Sequence, residues 1–328
     1  MKLRTIGLIG TLVLGMLAEP LLAEAQQAGK VYRIGYLSTG RGRIGPRQEA
    51  LRQALRDLGY VEGQNLLIEW RFAKKERRRL SALADELIRL KVDVLFTSSF
   101  RSARAAKKAT MTIPIVFLSS RDPVAAGLVD SLAQPGGNLT GLTHSSVVLT
   151  GKRLELLKVI IPKLSRVAVL WQPGNPGSET IGKESQLRAQ ELGLQLHSME
   201  VSSADEFEGA FQEATKANSD ALAVAVSNMI SRNRTQIVKL AIKNRLPGIY
   251  ADSRFAHIGG LVSYATDRIA QYRRAATYID RILTGAKPSD LPVWQPTKFD
   301  LIINLKTAKQ LDITIPYSVL FQADKVIR

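Results

Sequence analysis

The feature that most limits what this chain can fold into is an internal repeat of its strand and helix grammar. Arg33-Ile34-Gly35-Tyr36-Leu37 returns as Arg166-Val167-Ala168-Val169-Leu170, a step of 133 from residue 33 to residue 166. Leu58-Gly59 returns as Leu192-Gly193, and Val92-Asp93-Val94-Leu95 returns as Ser219-Asp220-Ala221-Leu222. Ile113-Pro114-Ile115-Val116-Phe117 returns as Leu246-Pro247-Gly248-Ile249-Tyr250, and Gly127-Leu128-Val129 as Gly260-Leu261-Val262. Unrelated doubly wound domains share some spacing, but not the same Pro and Gly landmarks in the same order. Two units of one architecture are expected.

Within each unit, short β-branched runs alternate with amphipathic stretches. In the first, strands are predicted over Val31–Leu37, Asn65–Phe72, Val92–Thr97 and Ile113–Leu118. Helices are predicted over Pro46–Gly59, Arg78–Leu90 and Ser102–Thr110, with a fourth opened by Asp122-Pro123 and running to Ala133. Proline at a first helical position and glycine just past the end set these boundaries. Such alternation implies parallel sheets with helices on both faces, so the fold class is α/β with two Rossmann-like αβα lobes.

Ligands of such sheets lie beyond the carboxyl ends of the strands, where helix N-termini also present free N–H groups. In the first lobe those ends are Ser38-Thr39, Thr97-Ser98-Ser99, Ser119-Ser120-Arg121-Asp122 and Thr143-His144. In the second they are Trp171-Gln172, Ser227-Asn228, Tyr250-Ala251-Asp252 and Ser263-Tyr264. The set is rich in hydroxyls, which suits hydrogen bonding to a small polar ligand better than covalent chemistry. Serine also caps helices, so each position taken singly has a structural reading as well.

The chain has 328 residues, 45% of them hydrophobic, enough for one large core or two medium ones. It contains no cysteine, which excludes disulfides, thiol nucleophiles, Cys-based metal sites and a lipid-modified N-terminal Cys. Lys2 and Arg4 precede an apolar run from Ile6 to Ala18, followed by Ala23-Glu24-Ala25. That three-part pattern over residues 1–25 reads as a cleavable signal peptide, placing a mature chain from Gln26 free in a periplasm. No later stretch approaches the roughly eighteen apolar residues of a membrane span.

The net charge of +17 comes from 46 basic and 29 acidic residues. Its densest run, Lys74-Lys75-Glu76-Arg77-Arg78-Arg79, carries no interleaved aromatics and no nucleic-acid-binding signature, so it reads as a solvated face. Nucleic acid is therefore not expected as a partner.

Gly40-Arg41-Gly42-Arg43-Ile44-Gly45 matches the G-x-G-x-x-G spacing between a strand and a helix. An enzyme or sensor binding a nucleotide-like anion at this loop is the alternative reading. Against it stand the export signal, the residues inserted before the first glycine and two arginines at the variable positions. No G-x-S-x-G elbow occurs, and His144, His197 and His257 lie in no metal-binding spacing. Neither a catalytic residue, a metal nor a cofactor is expected.

A longer set of phrases carries a resemblance. Arg33-Ile34-Gly35-Tyr36-Leu37-Ser38, Leu58-Gly59-Tyr60-Val61-Glu62-Gly63-Gln64-Asn65 and Pro135-Gly136-Gly137-Asn138-Leu139-Thr140-Gly141 are among them. So are Arg273-Arg274-Ala275-Ala276-Thr277-Tyr278 and Gln295-Pro296-Thr297-Lys298-Phe299. From Val31 to Arg328 the sequence resembles ABC-transporter substrate-binding proteins that include tryptophan- and tyrosine-uptake binders. The resemblance implies the type I periplasmic-binding architecture, a monomer that closes about a hinge, and a membrane permease as partner. It also implies chain crossings near Thr143–Thr150, Tyr264–Asp267 and Trp294–Lys298. Lobe 1 would then span 26–145 with about 266–296 returning to it, and lobe 2 would span 146–265 with part of 297–328.

From the strand ends read above, Ser38, Thr39, Thr143, Asn228 and Ser263 are candidate ligand contacts. By the resemblance, Ser98 and Ser99 would hold a carboxylate of an amino-acid-like ligand, Asp122 would meet its ammonium, and Trp171 or Tyr250 would supply an apolar wall. For Asp122, a helix N-cap is an equal or better reading. The sequence departs from the family pattern by placing Arg41, Arg43, Arg101 and Arg121 on first-lobe loops, which points to an anionic ligand such as a carboxylate or sulfonate.

Overall fold

The computed structural model describes residues 30–328 apart from 41, 75, 77, 120 and 144–148. The expected signal peptide therefore lies outside the described residues, as do Arg41 and His144.

The first sheet is built from β1 (Tyr32–Ser38), α1 (Pro46–Asp57), β2 (Leu66–Phe72), α2 (Arg79–Arg89), β3 (Val94–Thr97), α3 (Phe100–Ala109), β4 (Ile115–Ser119) and β5 (Leu139–Thr143). Its strand order is β2-β1-β3-β4-β5, with every pairing parallel. Inner strands such as β3 are buried on both faces, which is why they read as continuous apolar runs rather than alternating ones.

The second sheet follows α4 (Leu149–Ile160). It comprises β6 (Arg166–Trp171), α5 (Pro176–Glu191), β7 (Gln195–Glu200), α6 (Phe207–Lys216), β8 (Ala221–Val224), α7 (Asn228–Arg232), α8 (Arg234–Lys243), β9 (Gly248–Tyr250) and β10 (Val262–Ala265). The chain then forms α9 (Arg268–Leu283), β11 (Asp300–Asn304), α10 (Leu305–Gln310), α11 (Tyr317–Phe321) and β12 (Lys325–Ile327). The order is β12-β11-β10-β9-β8-β6-β7. One pairing, β10 with β11, is antiparallel. The reason is the path: α9 leaves this lobe to pack on the first, and the chain re-enters at the carboxyl end of β10, pairing Asp300 with Ala265.

The repeat has a shared physical device at the amino end of each lobe's first strand. Asp93 accepts from the backbone N–H of Arg33 at 2.7 Å, while the Arg33 guanidinium donates to the Leu90 carbonyl. Asp220 accepts from the backbone N–H of Arg166 at 2.8 Å, while the Arg166 guanidinium donates to the Ala217 carbonyl. Each Arg–Asp pair ties the first strand to the turn that precedes the third. Burial pushes the Asp220 carboxyl up, but the Arg166 and Ser165 hydrogen bonds outweigh it and hold the group below the usual range.

The helix expected from Asp122-Pro123 to Ala133 is not formed. The Asp122 carboxylate accepts from the Val124 and Ala125 N–H groups and starts a single turn. Gly127, at φ +66°, then closes it, with the Leu128 N–H bonded to the Pro123 carbonyl and the Gly127 N–H to that of Val124. This crossed pair of bonds is the Schellman stop. Leu128 and Val129 drop directly into the core beside α3.

α9 buries Tyr272, Ala275, Ala276, Ile279 and Ile282 against the first sheet, alongside Leu51 and Leu55 of α1. The segment after it pairs with β5: the Trp294 N–H donates to Gly141, and the Thr143 N–H donates to Trp294 at 2.8 Å. The Gln271 amide donates to the Thr143 carbonyl, and Arg153 of α4 donates to that of Tyr264. These bonds bind the segments that pass between the lobes to the rims of both sheets.

Candidate functional site

The carboxyl ends of β1 and β3 meet. Ser98 Oγ donates to Ser38 Oγ at 2.8 Å, and the Gly40 N–H donates to the same Ser38 oxygen at 3.0 Å. The two hydroxyls carry two protons and use one between them, so one O–H remains to offer to an acceptor. Thr39 is half-buried beside them.

Ser99 performs a different task. It caps α3, accepting from the Ser102 N–H, and its hydroxyl meets that of Ser102 at 2.8 Å. The first turn of α3, which includes Arg101, therefore starts at the hydroxyl pair. The helix end adds partial positive charge there. Arg121, from the end of β4, lies over the Phe100 ring with its guanidinium carbon 4.5 Å from the centroid. Ser38, Thr39, Ser98, Ser99, Arg101 and Arg121 thus line one rim.

Other candidates are placed elsewhere. Tyr250 is 1% exposed and stacks on Phe255 at 4.6 Å between centroids, a core position that cannot form a cleft wall. Ser263 is fully buried within β10. Trp171 packs against Gly182 of α5 and donates its indole N–H to Ser198 of β7, turning toward the helix layer and the sheet edge. Asp122 is exposed, its Oδ1 taken by its own turn. Asn228 is exposed at the start of α7, with Ser227 as the cap. Thr143 is buried at the crossing to the second lobe.

Two amides of the glycine loop are already engaged. The Gly40 N–H is taken by Ser38, and the Gly45 N–H donates to the Gln48 side chain at 3.1 Å. Gln48 in turn donates to the Tyr36 hydroxyl at 2.7 Å, and Tyr36 meets Tyr272 at 3.4 Å. A phosphate cradle needs those amides free, so the nucleotide-like reading draws no support here.

Sequence reasoning placed Asp252 at a strand end but missed the arginines gathered around it at the lobe boundary. Asp252, at the end of β9, binds Arg254 through Nε at 2.9 and 3.1 Å and Nη2 at 2.5 Å, and also meets Ser231. Burial pushes the Asp252 carboxyl up, but Arg254 more than offsets this and the group stays below its ordinary range. Arg268 opens α9 and Arg47 sits in the first turn of α1. Burial first, then the Arg47 charge, push Arg268 down to about 10. A sequence signal did exist: each arginine stands in the first turn of a helix, where the macrodipole disfavours a cation.

With this geometry in view, comparison with known proteins is decisive. The model of the family described as ABC transporter substrate binding protein matches residues 46–327. This chain belongs to that family. Such proteins act outside the cytoplasmic membrane, where they capture a small molecule and present it to a permease.

Among relatives of this substrate-binding protein is a tyrosine-binding protein of Clostridioides difficile (strain R20291), 29% identical over 261 residues, which are 80% of this chain and 75% of that one. A conserved domain protein from Vibrio cholerae superposes with a TM-score of 0.79 at 29% identity, covering 90% of this chain and 100% of that one. The ABC domain from Streptococcus pneumonia in complex with L-Trp superposes with a TM-score of 0.78 at 26% identity, covering 90% and 99%. The two-lobed α/β architecture is that of the type I periplasmic binding proteins. Among the described residues no helix is long and apolar enough to cross a membrane.

Proposed function

We propose that this substrate-binding protein is a monomeric, non-catalytic periplasmic receptor, exported by a cleavable leader, that closes about its crossing segments over a small carboxylate-bearing solute. The observation that carries this reading is the Ser38–Ser98 hydroxyl pair at the start of α3. One unspent O–H and the helix end converge there, a donor set that matches a carboxylate oxygen. Relatives named for tyrosine binding or holding L-Trp indicate a solute of amino-acid size. Closure buries the solute between lobes, and a permease then recognises the closed form. Nucleic acid plays no part in this cycle.

Native mass spectrometry of protein released from periplasm tests the reading, followed by small-angle scattering with the recovered molecule. A monomer beginning near Gln26, carrying one unaltered small molecule and compacting on its return, is the expected result. A chain that retains its leader, turns the molecule over, or keeps the same radius with it would overturn the proposal.

A further inference from the structure

At the lobe boundary two arginines, Arg47 and Arg268, lie within repulsive range of each other. Arg47 and Arg268 each stand in the first turn of a helix, where the free N–H groups already carry partial positive charge. Among the described residues neither arginine makes an ion pair or a side-chain hydrogen bond. The Nε of Arg268 is enclosed with no partner. Arg47 is close enough to repel Arg268, and both act on Tyr272, whose hydroxyl meets Tyr36. Across the boundary, Asp252 and Arg254 also act on Arg268, but Asp252 is already bound to Arg254.

Of the other acids, Asp300 lies beside Asp267, its carboxyl pushed up by burial and by the Asp267 and Asp324 charges. Asp267 caps α9 through the Ile269 and Ala270 N–H groups, and Asp122 caps its own turn. A solute's ammonium group would meet the Arg47 and Arg268 guanidinium groups here, with Asp252 already paired to Arg254. An anionic group would relieve the repulsion between Arg47 and Arg268 and give the enclosed Nε an acceptor.

We infer that Arg47 and Arg268, reinforced by Arg254, form the subsite for an anionic group of the solute, so that the protein selects small organic anions and does not require an amino group. The inference rests on the solute-binding reading and sharpens its ligand class. It also moves the source of anion selectivity from Arg41, Arg43, Arg101 and Arg121 to the boundary between the lobes. The fold itself has no use for the pair: a desolvated Arg268 at a helix N-terminus beside a like charge opposes folding, and removing either charge would lower that cost.

The test is calorimetric titration of the mature protein with three probes: L-tyrosine, its des-amino counterpart 3-(4-hydroxyphenyl)propionate, and succinate. At least one probe lacking the amino group is expected to bind more tightly than L-tyrosine. Arg47→Gln and Arg268→Gln are each expected to weaken that binding by about thirtyfold or more, with Arg268→Lys retaining part of it. Their urea midpoints should stay at or above the parent value, which separates lost binding from lost folding. Tighter binding of L-tyrosine than of either anion, unchanged anion affinity in both variants, or no probe binding more tightly than about 1 mM would overturn the inference. Compaction on L-tyrosine that ignores both arginines would sink this inference alone and leave the solute-binding reading standing. Absence of any retained molecule and of any ligand-induced compaction would sink that reading instead.

Discussion

Replacing Asp252 by asparagine removes a carboxylate that acts on Arg254 and Arg268 while keeping its shape. The Asp252 side chain is 9% exposed and Arg254 is 45% exposed. The pair is bidentate and Asp252 also accepts from the Arg254 backbone N–H at 3.1 Å. A charge-assisted bond of this kind contributes about 1.5–3 kcal/mol, and solvent around Arg254 screens it, so a loss of about 1–2 kcal/mol is expected. The Asp252 carboxyl is held below its ordinary pKa, so its contribution is present at neutral pH and fades as pH falls through the folded-state value. Urea unfolding followed by tryptophan fluorescence should show Asp252→Asn less stable at pH 7, with the gap closing as the medium is acidified below the ordinary carboxylate range. Anion affinity should move the opposite way and rise, because the internal competitor for Arg254 and Arg268 has lost its charge. Equal urea midpoints at neutral pH, or a gap unchanged in acid, would refute the electrostatic account of this cluster.

Three further perturbations separate folding roles from binding roles. Asp220 accepts from the Ser165 N–H and Oγ and the Arg166 N–H, so Asp220→Ala should cost about 1–3 kcal/mol in chemical denaturation, with Asp93→Ala weakening the first lobe in the same sense. Because the Tyr250 ring is a core group, Tyr250→Phe should leave solute affinity within about twofold, while Tyr250→Ala should lower stability by about 3 kcal/mol or more, as read by thermal unfolding. At Gly141 an added Cβ would lie 2.2 Å from the Phe117 carbonyl oxygen and 2.6 Å from its nitrogen, so Gly141→Ala must push β5 from β4. A loss of about 2 kcal/mol is expected there, and a wild-type melting temperature would contradict the packing described.

The two lobes were legible because their causes are local. Apolar periodicity, proline at helix starts and glycine at helix ends act within a few residues, and so place elements to within one or two positions. The Ser38–Ser98 pair was legible for the same reason: strand ends in a parallel sheet point to one rim. Failures arose where side-chain direction mattered. Tyr250 ends β9 much as Ser98 follows β3, yet it is turned into the core, and Ser263 falls inside β10 rather than at its end. The missing helix after Asp122 turned on Gly127, whose left-handed backbone closes the turn before a second can form.

By itself, then, the sequence determined the α/β class, the duplication and the strand ends that bring Ser38 and Ser98 together, all consequences of short-range pattern. Only the tertiary structure decided which charges face one another. Arg47 and Arg268 are separated by most of both lobes along the chain, and they meet because α9 crosses back to pack beside α1. Coulombic interaction depends on distance in space, which no residue spacing encodes. The charge that favours an anionic solute is therefore a property of the crossing, not of any loop read singly.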